Sequence, residues 1–236
     1  MLNIINVFMC CRNNEDTLDK TFDLLNQIET LNKNYNFRYY IYENDSTDKT
    51  KNIIVDFYKN HKGNCLFETL QTKYWSNIQN EKRVADMSMY RNKMKSLCKQ
   101  FNNSDYSIIL DTNILFKPSI FQDMINVFIE DKKIHMVTPF GFVEGKPKLY
   151  YDTFALDLIS DYKGKKLNKL KHEMKKNQIV KLISGFAGFI MIKTQTLSLC
   201  SWKYSSISSE HNYFCKEVQQ YGDIVCSTNI KVKWKK

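Results

Sequence analysis

Apolar residues along the chain fall into short blocks separated by polar clusters. Ile4 to Cys11 is one such block, and it ends at Arg12-Asn13-Asn14, which predicts a buried strand running into a polar loop. Leu18, Phe22, Leu25, Ile28 and Leu31 then recur at helical spacing, and Asn14 or Asp16 can cap that helix. Phe37 to Tyr42 is a second strand, ending at Glu43-Asn44-Asp45-Ser46-Thr47-Asp48. A helical stretch with Ile53, Ile54 and Phe57 follows, then a third strand from Cys65 to Leu70. Val84 to Phe101 places Met87, Tyr90, Met94, Leu97 and Cys98 on one helical face. Tyr106 to Leu110 is a fourth strand, and it ends at Asp111.

The second half is less regular. Pro118 opens a helix to about Glu130, Ile134 to Thr138 reads as a strand, and Phe140 to Tyr151 reads as a loop. Ser184 to Gly188 is a glycine-punctuated turn leading into a strand that ends near Ile192. Ser208 to Tyr221 reads as a helix and Ile224 to Val232 as a last extended segment. Alternating strands and helices predict an α/β fold with a mixed, mostly parallel central sheet flanked by helices. Ligands of such sheets bind outside the carboxyl ends of the strands, and three polar clusters fall there: Arg12-Asn13-Asn14, Glu43-Asn44-Asp45 and Asp111-Thr112-Asn113.

Length and composition narrow this picture. A chain of 236 residues with 7 Gly and 3 Pro suits one domain with no long linker, here 1–236 with a first half to about 116 and a second from about 117. The formal charge of +10 admits nucleic acid, an anionic membrane or a phosphorylated small substrate as partner. Lysine supplies nearly all of it, which is the signature of a solvated surface, and no nucleic-acid recognition motif accompanies it. The densest basic run, Lys163 to Lys176, is read as a mobile loop, an acceptor loop or a subunit contact, and a homodimer is one expectation from it. Seven cysteines without paired spacing signal neither a disulfide framework nor a zinc site. The apolar opening is too short to span a membrane and lacks the features of a signal peptide, so a soluble protein of a reducing, cytoplasmic-type compartment is expected.

The strand-end residues suggest chemistry. Asp111 and Asn113, one residue apart, can face a common hard cation such as Mn²⁺ or Mg²⁺, although Asp111 could equally cap the turn. The Glu43 to Asp48 cluster could accept hydrogen bonds from a nucleobase or ribose, or could be only a turn. Arg83 and Arg91, two of four arginines, suit a pyrophosphate; the alternative is an ion pair with Glu81 or Asp86.

Taken in order, Arg12-Asn13, Glu43 to Thr50, Arg91-Asn92 and Leu110 to Asn113 resemble the nucleotide-binding half of glycosyltransferases with the GT-A (Rossmann-like) fold. Tyr42 to Ser46 and Tyr151-Asp152-Thr153-Phe154-Ala155-Leu156 resemble, more narrowly, the fungal capsule-associated α-1,3-mannosyltransferases. The chain also looks like glycosyltransferases of large DNA viruses, some of them linked to collagen-like glycoproteins. These resemblances imply a metal-dependent hexosyltransferase acting on a glycan or glycoprotein hydroxyl, with retention favoured on the fungal likeness and inversion left open. UDP-glucose or UDP-galactose is the favoured donor. GDP-mannose is the alternative, as is a non-catalytic nucleotide- or glycan-binding module.

The same resemblance implies roles. Asp111, Asn113 and His211 would hold the metal, with Asn113 standing where the usual D-x-D pair has its second acid. Arg12, Asn13, Glu43, Asn44, Arg91, Asp111 and Thr112 would bind the nucleotide-sugar, with Gly185 and Gly188 as a floor beneath the sugar. Glu210 is the first choice for the catalytic acid or base, and Asp152 the second.

Overall fold

The computed structural model describes residues 3–73, 80–144, 150–158, 178–204 and 209–234. The basic run from Lys163 to Lys176 lies outside them. Strand β1 (Asn3–Cys11) is central to the first half, with β2 (Tyr35–Asn44) and β4 (Ser104–Asp111) parallel on either side and β3 (Gly63–Glu68) parallel beyond β2. Helices α1 (Glu15–Leu31), α2 (Thr50–Phe57) and α3 (Glu81–Ser96) make the crossovers. Consecutive residues Val7, Phe8 and Met9 are all fully buried, as a strand covered on both faces requires.

The second half contributes β5 (Ile114–Phe116), α4 (Ile120–Glu130), β6 (Ile134–Val143), β7 (Asp157–Leu158), β8 (Ile179–Ser184) and β9 (Phe189–Lys193). It closes with α5 (Thr194–Leu199), α6 (Glu210–Val218) and β10 (Asp223–Trp234). One ten-stranded sheet joins the halves in the order β3-β2-β1-β4-β9-β6-β10-β8-β7, with β5 paired to β10. β6 and β10 run parallel, whereas β9 lies antiparallel to both β4 and β6. The longest ladders are parallel; short antiparallel ladders set β9 between β4 and β6 and add β5, β8 and β7 around β10.

Several boundaries differ from the sequence pattern. Phe140 to Val143 belong to β6 and are not loop: the ladder with β10 breaks at Pro139, which has no N–H to give, and resumes at Phe140 opposite Lys231. The helix through Arg91 stops at Ser96, so Leu97 is its cap and Cys98 packs in the core from the following turn. Asn14 precedes α1 without capping it, since its side chain accepts the Arg12 N–H at 2.9 Å. Leu31 is 68% exposed at the end of α1, beyond the reach of the sheet. Among the described residues no helix is long and apolar enough to cross a membrane. All seven cysteines are free.

Candidate functional site

Register places the site. Cys10 lies opposite Tyr42 on β2 and opposite Asp111 on β4, so three neighbouring strands end flush. The residues that follow emerge along one edge and border a cleft of about 680 Å³, inside the range of roughly 300–1,000 Å³ usual for small-molecule sites. Arg12, Asn14, Asn44, Lys73 and the α3 residues Arg83, Met87, Tyr90 and Arg91 form one wall. Asp111, Thr112 and Asn113 form the floor. Phe186 and Glu210 lie against Arg91, and Tyr151 to Ala155, Ser209, His211 and Trp234 complete the lining.

The first wall is held by short polar contacts between loops. Asn13 adopts φ 51°, donates its N–H to Ser46 Oγ at 2.9 Å and accepts the Thr47 N–H at 2.9 Å. Glu43 is fully buried and accepts the Ser46 N–H at 2.8 Å. Asp45, at φ 56°, accepts the N–H groups of Leu70, Gln71 and Thr72. Burial works to raise its carboxyl, but hydrogen bonds from Thr72, Asn44 and the backbone hold it well below its ordinary value. Thr72 is the knot of this wall: its hydroxyl donates to Asp45 at 2.5 Å and accepts from Arg12 at 3.0 Å, Tyr90 at 3.0 Å and Asn44 at 3.3 Å.

Beneath that wall lies a buried charge network. Arg91 is 3% exposed; its Nε donates to Glu210 Oε1 at 3.2 Å and its Nη2 to Asp111 Oδ1 at 3.4 Å. Its guanidinium also sits 4.7 Å over the Phe186 ring, and His211 stacks on the same ring at 3.9 Å. Burial and the adjacent Arg91 push His211 down to about 3, so the imidazole is neutral. Burial opposes ionisation of Glu210, while protonated His211 and then Arg91 act to lower it; with the imidazole neutral, Arg91 is the cation that remains beside it. Asp111 is raised by burial against the lowering effect of Arg91, and its side chain stays 24% open to the cleft. Asp152 accepts the Ala187 N–H at 3.0 Å; burial, with the Asp111 and Glu210 charges adding to it, pushes it up to about 6.

Thus Arg12, Asn44, Arg91, Asp111, Thr112, Asn113, Asp152, Glu210 and His211 meet at one cleft, while Asn13 and Glu43 lie behind it as scaffold. Gly185 and Gly188 are also behind the surface. A Cβ on Gly185 would lie 2.7 Å from Leu182, and one on Gly188, at φ 73°, would lie 2.8 Å from Ile114 and 2.9 Å from Trp234. Their missing side chains make room for protein, and Phe186 between them is the residue that faces the cleft. Among the described residues no group of three or more His, Cys, Asp or Glu side chains is gathered as a cation site. Asp111, Asn113 and His211 are the lining groups that could serve a divalent cation, which would need ligand oxygens to complete its shell. Lys73, Thr72, Tyr90 and Trp234 carried no signal in the sequence. Trp234 reaches the cleft only through sheet register, opposite Val143 and Ile114.

Residues 6–80, which include Arg12, Asn14, Asn44 and Lys73 of the first wall, match the profile of Glycosyl transferase family 2. No curated protein matches the chain in sequence. Among solved structures it is similar to Staphylococcus aureus TarS 1–349 in complex with UDP-GlcNAc, with a TM-score of 0.61 at 12% identity, over 99% of this chain and 58% of that one. It is also similar to the mannosyltransferase PcManGT of Pyrobaculum calidifontis in complex with GDP-Man and Mn²⁺, with a TM-score of 0.60 at 8% identity, over 97% and 56%. Glucosyl-3-phosphoglycerate synthase of Mycobacterium tuberculosis, with Mn²⁺, UDP and its product, gives 0.53 at 11% identity, over 99% and 72%. The chain spans about 60% of the length of TarS 1–349. The α/β architecture with its mixed, mostly parallel sheet is that of GT-A glycosyltransferases.

Proposed function

We propose that this chain is a metal-dependent glycosyltransferase that moves a hexose from a nucleoside diphosphate to a hydroxyl of a glycan or glycoprotein. The observation that carries this reading is the Arg91–Asp111–Glu210 network lining the cleft with Asp152 at the flush ends of β1, β2 and β4. Asp111, Asn113 and the neutral ring of His211 are the groups that would hold Mn²⁺ or Mg²⁺. The bound cation supplies positive charge against the charge that develops on the departing diphosphate. Arg91 fixes the Asp111 carboxylate, while Arg12 and Asn44, tied through Thr72, position the nucleoside. A uridine nucleotide is the favoured donor, since two of the three solved structures compared above carry one.

The two candidate carboxylates divide the work differently from the sequence expectation. Glu210 is committed to Arg91 and sits below its ordinary pKa, which makes it a weak proton acceptor. Asp152 is ionised at neutral pH yet retains proton affinity up to about 6, the property of a general base. In this reading Asp152 takes the acceptor's hydroxyl proton. The oxygen bonds to the anomeric carbon as the bond to diphosphate breaks, and the diphosphate leaves with the electron pair. Such a displacement inverts the anomeric centre, in contrast to the retention favoured on the fungal likeness.

A panel of UDP- and GDP-sugars, scored for hydrolysis and transfer with Mn²⁺ and with chelator, tests the proposal. Asp111→Ala is expected to lower turnover at least 100-fold with the fold intact by circular dichroism. Wild-type rates in that variant would end the metal–diphosphate assignment, activity with GDP-mannose alone would change the donor, and a retained anomer by NMR would remove the base from Asp152.

A further inference from the structure

The cleft lining includes an aromatic pair, Tyr151 and Trp234, to which the proposed function assigns no role. Tyr151 is 43% exposed, although it is a large ring beside the half-buried Asp152 carboxylate. Its backbone N–H donates to the Gly141 carbonyl at 2.9 Å, which anchors it to the end of β6. Trp234 backs it, with ring centroids 5.4 Å apart and planes tilted by 53°. The indole is itself wedged: a Cβ on Gly141 would lie 3.1 Å from its Nε1, and one on Gly188 would lie 2.9 Å from its Cζ2. Two glycines therefore yield space to one ring, and sheet register fixes where that ring sits. Both rings border the same cleft as Asp152, Arg12 and Asn44.

An aromatic face is electron-rich, and it suits a partner whose own face is a set of weakly positive C–H bonds. A pyranose ring presents such a face and directs its hydroxyls to the edge. A peptide hydroxyl on a flexible side chain offers no comparable flat surface.

Resting on the glycosyltransferase reading, we propose that Tyr151 and Trp234 form the acceptor subsite, and that the acceptor is a sugar ring stacked there with one hydroxyl presented to Asp152. The acceptor class is thus a glycan or glycoside, not a bare protein hydroxyl. Tyr151 acts through its ring and not through its phenol, so phenylalanine replaces it and alanine does not.

The test uses the full chain with a uridine-diphosphate hexose, Mn²⁺, and methyl α- and β-glycosides of glucose, galactose and mannose. Peptides bearing serine or hydroxylysine form the second arm. Transfer to at least one methyl glycoside is expected, with Tyr151→Ala raising its KM about ten-fold while kcat changes less than two-fold. Tyr151→Phe should restore the wild-type KM, a rescue that loss of folding could not give. Transfer to peptides but to no glycoside overturns the proposal, as does an unchanged acceptor KM in Tyr151→Ala. Titration of the wild-type chain with UDP and Mn²⁺ separates the two levels. UDP binding with no glycoside acceptor sinks the subsite alone, whereas absence of both binding and turnover sinks the glycosyltransferase reading and the subsite with it.

Discussion

Replacing Arg91 with methionine keeps an unbranched chain in place and deletes one buried charge. The guanidinium lies 3.2 Å from Glu210 and 3.4 Å from Asp111, and the Arg91 and Glu210 side chains are 4% and 5% exposed. At an effective dielectric constant of about 20, each contact carries roughly 5 kcal/mol of gross attraction. Desolvation consumes most of that, so the intact network contributes far less than the sum. Deletion is a different quantity, because it leaves two carboxylates near each other without their cation, with Asp152 close by. The expected loss is about 3–5 kcal/mol, a large part of the roughly 5–15 kcal/mol that holds a domain together. The abandoned carboxyls respond by holding protons more tightly in the folded state than in the unfolded one. Stability from such groups is present below the unfolded pKa near 4 and is lost as pH rises through the folded value. The deficit should therefore be greatest above pH 7 and shrink toward pH 5. Urea unfolding followed by tryptophan emission at pH 5 and 7.5 reads this directly. Adding Glu210→Gln to the variant should recover about 1–3 kcal/mol at pH 7.5. A loss under 1 kcal/mol at both pH values, or a double variant no better than the single one, refutes the reasoning.

Three further outcomes follow from the same geometry. Asp152 is held up to about 6 by burial and by the Asp111 and Glu210 charges, so its ionised form opposes folding at neutral pH, and the penalty disappears below about 4. Asp152→Asn should gain about 1–2 kcal/mol in urea at pH 7, lose that gain by pH 4, and cut transfer by about 100-fold or more; a destabilised variant with normal kcat would contradict it. Gly188→Ala places a Cβ 2.8 Å from Ile114 at a backbone φ of 73° and should cost about 2–4 kcal/mol in thermal or urea unfolding; a loss within 0.5 kcal/mol or so would mean the turn relaxes freely. Thr72→Val removes the hydroxyl shared by Arg12, Asn44, Asp45 and Tyr90, so a stability loss of about 1–3 kcal/mol with weaker UDP binding by calorimetry is expected, and unchanged affinity would detach this knot from the nucleoside.

The first half of the fold was legible because each of its elements carries a pattern of its own. The block from Ile4 to Cys11 is buried on both faces, and Leu18, Phe22, Leu25 and Ile28 mark a single buried stripe. Failure began where pairing depends on distant partners. Phe140 to Val143 looked like loop because Pro139 and Gly141 are turn residues in most settings, yet the parallel partner β10 skips three residues and recovers the ladder. β5, β8 and α5 are three to six residues long, too short for periodicity to register.

The site divides along a similar line. Groups just beyond strand ends could be found, since a flush sheet edge gathers whatever follows its strands: Arg12, Asn44 and Asp111 needed only strand boundaries. What those groups do could not be found, because function here depends on which side chains remain uncommitted. Glu43 and Asn13 have the right chemistry for a ligand and spend it on the Ser46–Thr47 turn. Glu210 has the right chemistry for a base and spends it on Arg91, 119 residues away in sequence. Asp111 keeps one carboxylate oxygen clear of protein hydrogen bonds among the described residues and leaves 24% of its side chain open to the cleft. Availability is a property of partners, and partners are set by three-dimensional packing. Arg91 engages only one edge of the strand-end acid that was most conspicuous in the sequence, and under the proposed function the other edge is the one a cation and its diphosphate would use.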